Sequence, residues 1–214
     1  MKNPYNITFK NPAKKIFPNN PNALRARTED KWKKRKANYL SIFSKRLRRD
    51  LQYLPSPKFP SLDFQNGQGL FIHGVAGSGK TVYAAQLLMD IAKYYYLNYR
   101  DDGLLFESVP TFLANLKQSF GNDTKSNFEL IDQLQTTYIL VLDDLGVSGK
   151  PSDWLLETLY LLINYRYEHL LPTIYTSNLN LQGIAELYGD VRIASRIDRS
   201  CKVLKKKHWK NTND

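Results

Sequence analysis

The 214-residue chain carries 31 Lys and Arg against 20 Asp and Glu, a net charge of +11, with one cysteine and three histidines. That length suits one α/β domain plus an extension and can bury a real core. A lone cysteine excludes an intramolecular disulfide or cysteine metal site, the scattered histidines give no zinc spacing, and no apolar run nears the ~18 residues that span a bilayer. The opening M-K-N-P-Y-N-I-T-F-K lacks the apolar core of a signal peptide, so a cytoplasmic protein is expected.

Charge divides sharply along the chain. Residues 1–60 hold 16 basic and 3 acidic side chains (+13), residues 61–198 hold 9 and 16 (−7), and residues 199–214 hold 6 and 1 (+5). Basic ends on an acidic body suggest that the ends bind a polyanion, nucleic acid above all.

Residues 1–27, rich in Asn, Pro and Lys without apolar periodicity, read as an irregular arm. Thr28 can cap a helix with Glu29 and Asp30 in its first turn, continuing to about Leu51. Trp32, Tyr39, Leu40, Phe43, Leu47 and Leu51 recur on it at helical spacing, with Lys and Arg filling much of the rest. Such a basic amphipathic helix either packs on the body through its apolar stripe or contacts nucleic acid or a partner. Pro55, Pro57 and Pro60 then form a stiff linker, and the compact body begins near Ser61.

Gln68 to Thr81, Q-G-L-F-I-H-G-V-A-G-S-G-K-T, organises that body. Gly69–His73 reads as a buried strand and Thr81–Leu97 as a helix, and the turn between them fits G-x-x-x-x-G-K-[ST]. Gly74, Gly77 and Gly79 permit positive φ and close approach, so backbone N–H groups can form an anion nest. Lys80 supplies a point charge for β- and γ-phosphates, and the Thr81 hydroxyl suits a Mg²⁺ bridging them.

Further on, Gly103–Val109 reads as a second strand, with helices over Thr111–Phe120 and Asn127–Gln135. Tyr138–Leu142 is a continuous apolar run, as in the central strand of a parallel sheet, and ends in Asp143-Asp144. Carboxylates there face the crevice where doubly wound sheets bind ligands. Asp143 is expected to hold Mg²⁺, directly or through water, and Asp144 to orient the attacking water. Ser152 is expected to cap a helix over Asp153–Leu170, apolar on most sides. Pro172–Ser177 is a fourth strand, delivering Asn178 to hydrogen-bond a γ-phosphate or the water, or simply to begin the next turn. A helix over Leu181–Leu187 follows, then a run with Arg192 and Arg196 one helical turn apart. Cys201–Leu204 reads as an edge strand before the basic tail, with Cys201 itself expected to be buried.

Together with the phosphate loop, the segments I-L-V-L-D-D-L-G, K-P-S-D-W-L-L-E-T-L-Y-L-L-I-N-Y-R-Y, P-T-I-Y-T-S-N-L and R-I-A-S-R-I closely resemble the AAA+ ATPases of the bacterial helicase loader group. That group includes the DnaC and DnaI loaders and the IstB ATPases of insertion sequences. The resemblance covers about residues 60–205. It implies an AAA+ core at 61–206 with a parallel five-stranded sheet in the order 5-1-4-3-2, between a basic arm (1–60) and a basic tail (207–214). It makes Gly74, Val75, Ala76, Gly77, Ser78, Gly79, Lys80 and Thr81 the Walker A loop for ATP, and Asp143-Asp144 the Walker B pair. Asn178 resembles the sensor 1 residue, and Arg196, with Arg192 as the alternative, resembles an arginine finger offered to a neighbouring subunit.

The chain departs from many relatives in carrying Asp-Asp where they have Asp-Glu. No C-terminal helical lid is expected after the fifth strand, and an arm without cysteines is not expected to form an N-terminal zinc module. The resemblance implies an ATP- and Mg²⁺-dependent oligomer that loads a replicative helicase onto single-stranded DNA. The alternatives are a transposition helper that binds DNA and directs a transposase, a P-loop kinase, and a non-enzymatic nucleic-acid adaptor.

Overall fold

Alternation of buried side chains along the strands decides the architecture. In the computed structural model, Leu70 and Ile72 point to one side of the sheet with Ile139, Val141 and Ile174, while Phe71 points to the other with Leu140, Leu142 and Tyr175. A sheet apolar on both faces needs helices on both. The structure describes residues 32–33, 36–54, 57–98, 103–118 and 124–207. The predicted cap at Thr28, the irregular arm over residues 1–27 and the tail beyond residue 207 lie outside them.

The strands are β1 (Gly69–Gly74), β2 (Leu104–Ser108), β3 (Ile139–Leu145), β4 (Thr173–Ser177) and β5 (Cys201–Lys206). They form one parallel sheet in the order β2-β3-β4-β1-β5, the expected order read from the opposite edge. The helices are α1 (Lys45–Tyr53), α2 (Lys80–Asn98), α3 (Val109–Gln118), α4 (Thr124–Thr136), α5 (Asp153–Glu168), α6 (Leu181–Tyr188) and α7 (Val191–Ser200). One face of the sheet packs on α2 and the arm; the other packs on α3, α5, α6 and α7. Among the described residues no helix is long and apolar enough to cross a membrane.

The arm departs from the single predicted helix to Leu51. Residues 36–41 are helical, the chain turns at Ile42 and Phe43, and α1 then starts afresh, with the Ser44 hydroxyl accepting the Leu47 N–H at 3.2 Å. A serine that caps locally competes with helix continuation. The turn lets Phe43 reach the core, edge-on to Phe106 at 5.1 Å. Trp32, Phe43 and Leu47 are buried, so the apolar stripe does pack on the body. Further along, Ser152 precedes α5 without a side-chain capping bond, contrary to the expected cap. α3 begins at Val109, two residues before its predicted start, with Pro110 in its first turn, where a missing N–H costs nothing.

The sequence did not single out Arg166, although it is almost fully buried. It donates to the carbonyls of Leu134, Gln135, Thr137 and Pro172 and to the Thr173 hydroxyl at 2.6–3.1 Å. It thereby ties the end of α4 to the start of β4. Burial pulls its pKa down to about 10.

Candidate nucleotide-binding site

β1 leads directly into the loop. At Gly74, φ is +148° and a Cβ would lie 2.1 Å from the Lys206 carbonyl oxygen of β5, so no side chain fits there. Gly77 and Gly79 adopt positive φ as expected, and the space beside Gly77 is open. The earliest backbone bond of α2 runs from Tyr83 N–H to the Gly79 carbonyl at 2.9 Å; the Ser78 N–H meets the Val75 carbonyl at 3.3 Å, and among the described residues the amides between them, residues 79–82, meet no backbone carbonyl. The Ser78 hydroxyl is buried and has no hydrogen-bond partner among the described residues. Unpaired donors at a helix N-terminus suit an anion.

Lys80 folds over the loop. Its ammonium donates to the carbonyls of Gly74 (3.0 Å) and Val75 (2.9 Å) and to Asn178 Oδ1 (2.8 Å), which uses all three of its donors. Asn178 thus occupies the position that a phosphate oxygen would need. Desolvation lowers the Lys80 pKa, opposed by Asp144 and Asp143.

The two aspartates are placed by a device the sequence reading missed. Between β3 and β4 the register slips, so that the step from Leu142 to Leu145 faces only the step from Tyr175 to Ser177. A bulge of this kind re-aims side chains at the end of a strand. Asp144 sits in the bulge with φ +61°, and its N–H donates to Thr176 Oγ1 at 2.9 Å. The same hydroxyl donates to Asp143 Oδ1 at 2.6 Å, while Ser177 Oγ holds the Leu145 carbonyl at 2.6 Å. Thr176 and Ser177 are therefore positioning residues. The available signal was two hydroxyls at the end of an otherwise apolar buried strand, P-T-I-Y-T-S.

Asp143 is 5% exposed. Burial pushes its carboxyl up to about 6, with Asp144 adding to the rise and hydrogen bonds from Thr176 and Thr81 and the charge of Lys80 opposing it. The Thr81–Asp143 bond brings the two expected Mg²⁺ ligands together. A hydroxyl and a carboxylate beside open space form an oxygen donor set that fits Mg²⁺.

The loop, Asp143, Asp144 and Asn178 line one cleft of about 870 Å³, which continues past β2 to the arm. Arg192 and Arg196 do not line it. They lie on α7 against α5. Arg192 donates to Asp190 and Glu157 at 2.8 and 3.0 Å and covers the Tyr160 ring at 4.1 Å. Arg196 uses Nε on Asn164 Oδ1 at 2.7 Å, with its guanidinium 5.0 Å from the Tyr167 ring. Cys201 is half-buried rather than buried as expected, and desolvation raises the pKa of its thiol.

No model of a known protein family matches the chain. Over 114 residues it is 30% identical to the replicative helicase loader DnaI of Bacillus subtilis (strain 168), covering 53% of this chain and 34% of that protein. The chain spans a third to a half of the length of the curated relatives it matches. The crystal structure of the DnaC helicase loader matches with TM-score 0.55 at 26% identity, covering 75% of this chain and 86% of that one. A crystal structure of DnaI shares the fold at TM-score 0.58 and 23% identity, over 90% of this chain and 88% of that one.

Proposed function

We propose that this DnaC/DnaI-like chain acts as an AAA+ protein that binds ATP with Mg²⁺ in this cleft and hydrolyses it. One observation carries the reading: β1, β3 and β4 bring Lys80, Thr81, Asp143, Asp144 and Asn178 to one end of the sheet, around a loop with unpaired donors. In hydrolysis, a water oxygen bonds to the γ-phosphorus while the β–γ bridging P–O bond breaks and ADP leaves. Lys80 releases Asn178 and turns its freed donor to the phosphates. Thr81 and Asp143 would hold Mg²⁺, which would supply charge neutralisation of the phosphates. Asp144 accepts the hydrogen of the attacking water and orients it. Asn178, once released, hydrogen-bonds that water or the γ-phosphate.

Among the described residues, Lys80 and Arg46 are the cationic side chains that line this chain's own cleft. In this reading Arg196 reaches the site of a neighbouring subunit in an oligomer. Its terminal nitrogens have no hydrogen-bond partner among the described residues, whereas Arg192 is committed to two carboxylates. That contrast favours Arg196. Likeness to the DnaI and DnaC loaders favours delivery of a replicative helicase to single-stranded DNA over the transposition-helper reading. The test is ATP turnover in the wild type, Lys80→Ala and Asp144→Asn, with a pull-down from the source cell. The reading expects binding and turnover in the wild type, neither in Lys80→Ala, and binding with slow turnover in Asp144→Asn. It also expects a helicase among the captured proteins. Equal ATP affinity in wild type and Lys80→Ala would falsify the assignment.

A further inference from the structure

The cleft has a wall that the phosphate loop does not supply. Ile42, Phe43, Arg46, Leu47, Asp50 and Leu54 of the arm face into it, across from Lys80 and the two aspartates. The wall is anchored. Phe43 and Leu47 are buried in the core with α2, Phe43 packs on Phe106, and the Leu54 carbonyl accepts from the Gln86 amide at 3.3 Å.

The charges lining the cleft are unevenly used. Four are acidic, Asp50, Glu107, Asp143 and Asp144; two are basic, Lys80 and Arg46. Lys80 already spends its three donors. Arg46 is exposed and has no hydrogen bond or ion pair with any described residue, while Arg49 on the same helix lies 3.6 Å from Asp50. A triphosphate carries about four negative charges and its magnesium complex about two, so one lysine leaves it under-neutralised in a cleft so rich in carboxylates. A guanidinium offers a planar fork that matches phosphate oxygens.

We propose that Arg46 is a phosphate-binding residue of the nucleotide site, supplied from the arm of the same chain, so that a bound nucleotide holds the arm against the core. The inference rests on the nucleotide reading above. It makes the coupling reciprocal: whatever pulls the basic arm away, such as a nucleic acid or partner engaging it, weakens nucleotide binding by the factor by which nucleotide weakens that engagement.

The experiment titrates the full chain with ATP and Mg²⁺ by calorimetry. Arg46→Ala should weaken binding on the order of tenfold, the effect of losing one charge-assisted contact, and Arg46→Lys should recover part of it. Lys45→Ala removes the same charge from an exposed position on the same helix that does not line the cleft and should leave affinity within about twofold, as screening by salt predicts for a surface charge. Hydrogen–deuterium exchange at saturating nucleotide gives a second readout. Amides of residues 45–53 should exchange more slowly with nucleotide in the wild type and show no such protection in Arg46→Ala. Equal affinities of wild type and Arg46→Ala, or equal losses in Arg46→Ala and Lys45→Ala, overturn the proposal and leave the nucleotide site standing. A wild type that binds no ATP overturns both.

Discussion

Replacing Asp143 by Asn should stabilise the nucleotide-free protein while destroying its Mg²⁺-dependent nucleotide binding. Burial chiefly lifts this carboxyl from 3.8 to about 6. That gap corresponds to about 3 kcal/mol at ~1.4 kcal/mol per pH unit. Above pH 6 the folded and unfolded chains both carry the charge, and the folded chain carries it at a loss. As the pH falls from 6 to 3.8, the folded state takes up the proton first and the loss disappears. Asn keeps an Oδ1 to accept from Thr176 and brings no charge into the site. The rise to about 6 already nets the attraction to Lys80 and the hydrogen bonds from Thr176 and Thr81 against desolvation, so about 3 kcal/mol is the expected gain. In a chain of this size each kcal/mol moves Tm by roughly 2–4 °C, so at pH 7.5 the variant should melt roughly 6–12 °C higher. Thermal unfolding followed by circular dichroism at pH 7.5, 6, 5 and 4 measures this. The gap should shrink toward zero by pH 4, and ATP with Mg²⁺ should reverse the order at pH 7.5. A variant less stable than the wild type at pH 7.5, or a gap that ignores pH, would refute the reasoning.

Asn178→Ala frees one donor of Lys80, so ATP should bind as tightly or about fivefold tighter while turnover drops; a calorimetric loss of affinity would contradict the competition between Asn178 and phosphate. Arg196→Ala should lose about 10³-fold or more in turnover with binding kept, and mixing it with Lys80→Ala should restore some hydrolysis if the two residues meet across subunits. A mixture as inactive as its parts, with wild-type activity independent of concentration, would place the whole site in one chain. Arg166→Met should cost at least about 3 kcal/mol in urea unfolding, because it orphans the carbonyls of Leu134, Gln135, Thr137 and Pro172 together. Removing exposed charges at Lys33, Lys45 and Arg49 leaves the buried stripe of the arm intact. If the arm contacts single-stranded DNA, the log–log salt slope of binding should flatten by about 2, at ~0.7 per lost phosphate contact; an unchanged slope would move the DNA site elsewhere.

The sequence alone determined the phosphate loop and the ends of the strands at which Asp143, Asp144 and Asn178 stand, while the strand order was implied by the family resemblance. The loop and strand ends are local features: glycine spacing, apolar runs and the polar residue that ends each run report on the next few residues of chain. Tertiary structure decided what no local pattern encodes. The bulge that turns Asp144 toward the cleft depends on hydroxyls of β4, which are remote in sequence from β3. The engagement of Lys80 by Asn178 joins residues 98 positions apart. The break at Ser44 brings Phe43 against Phe106 and Arg46 to the cleft, whereas helical periodicity alone continued one helix to Leu51. Hydrogen bonds and apolar contacts of this kind depend on distance in space, and only packing the layers against each other fixes that distance.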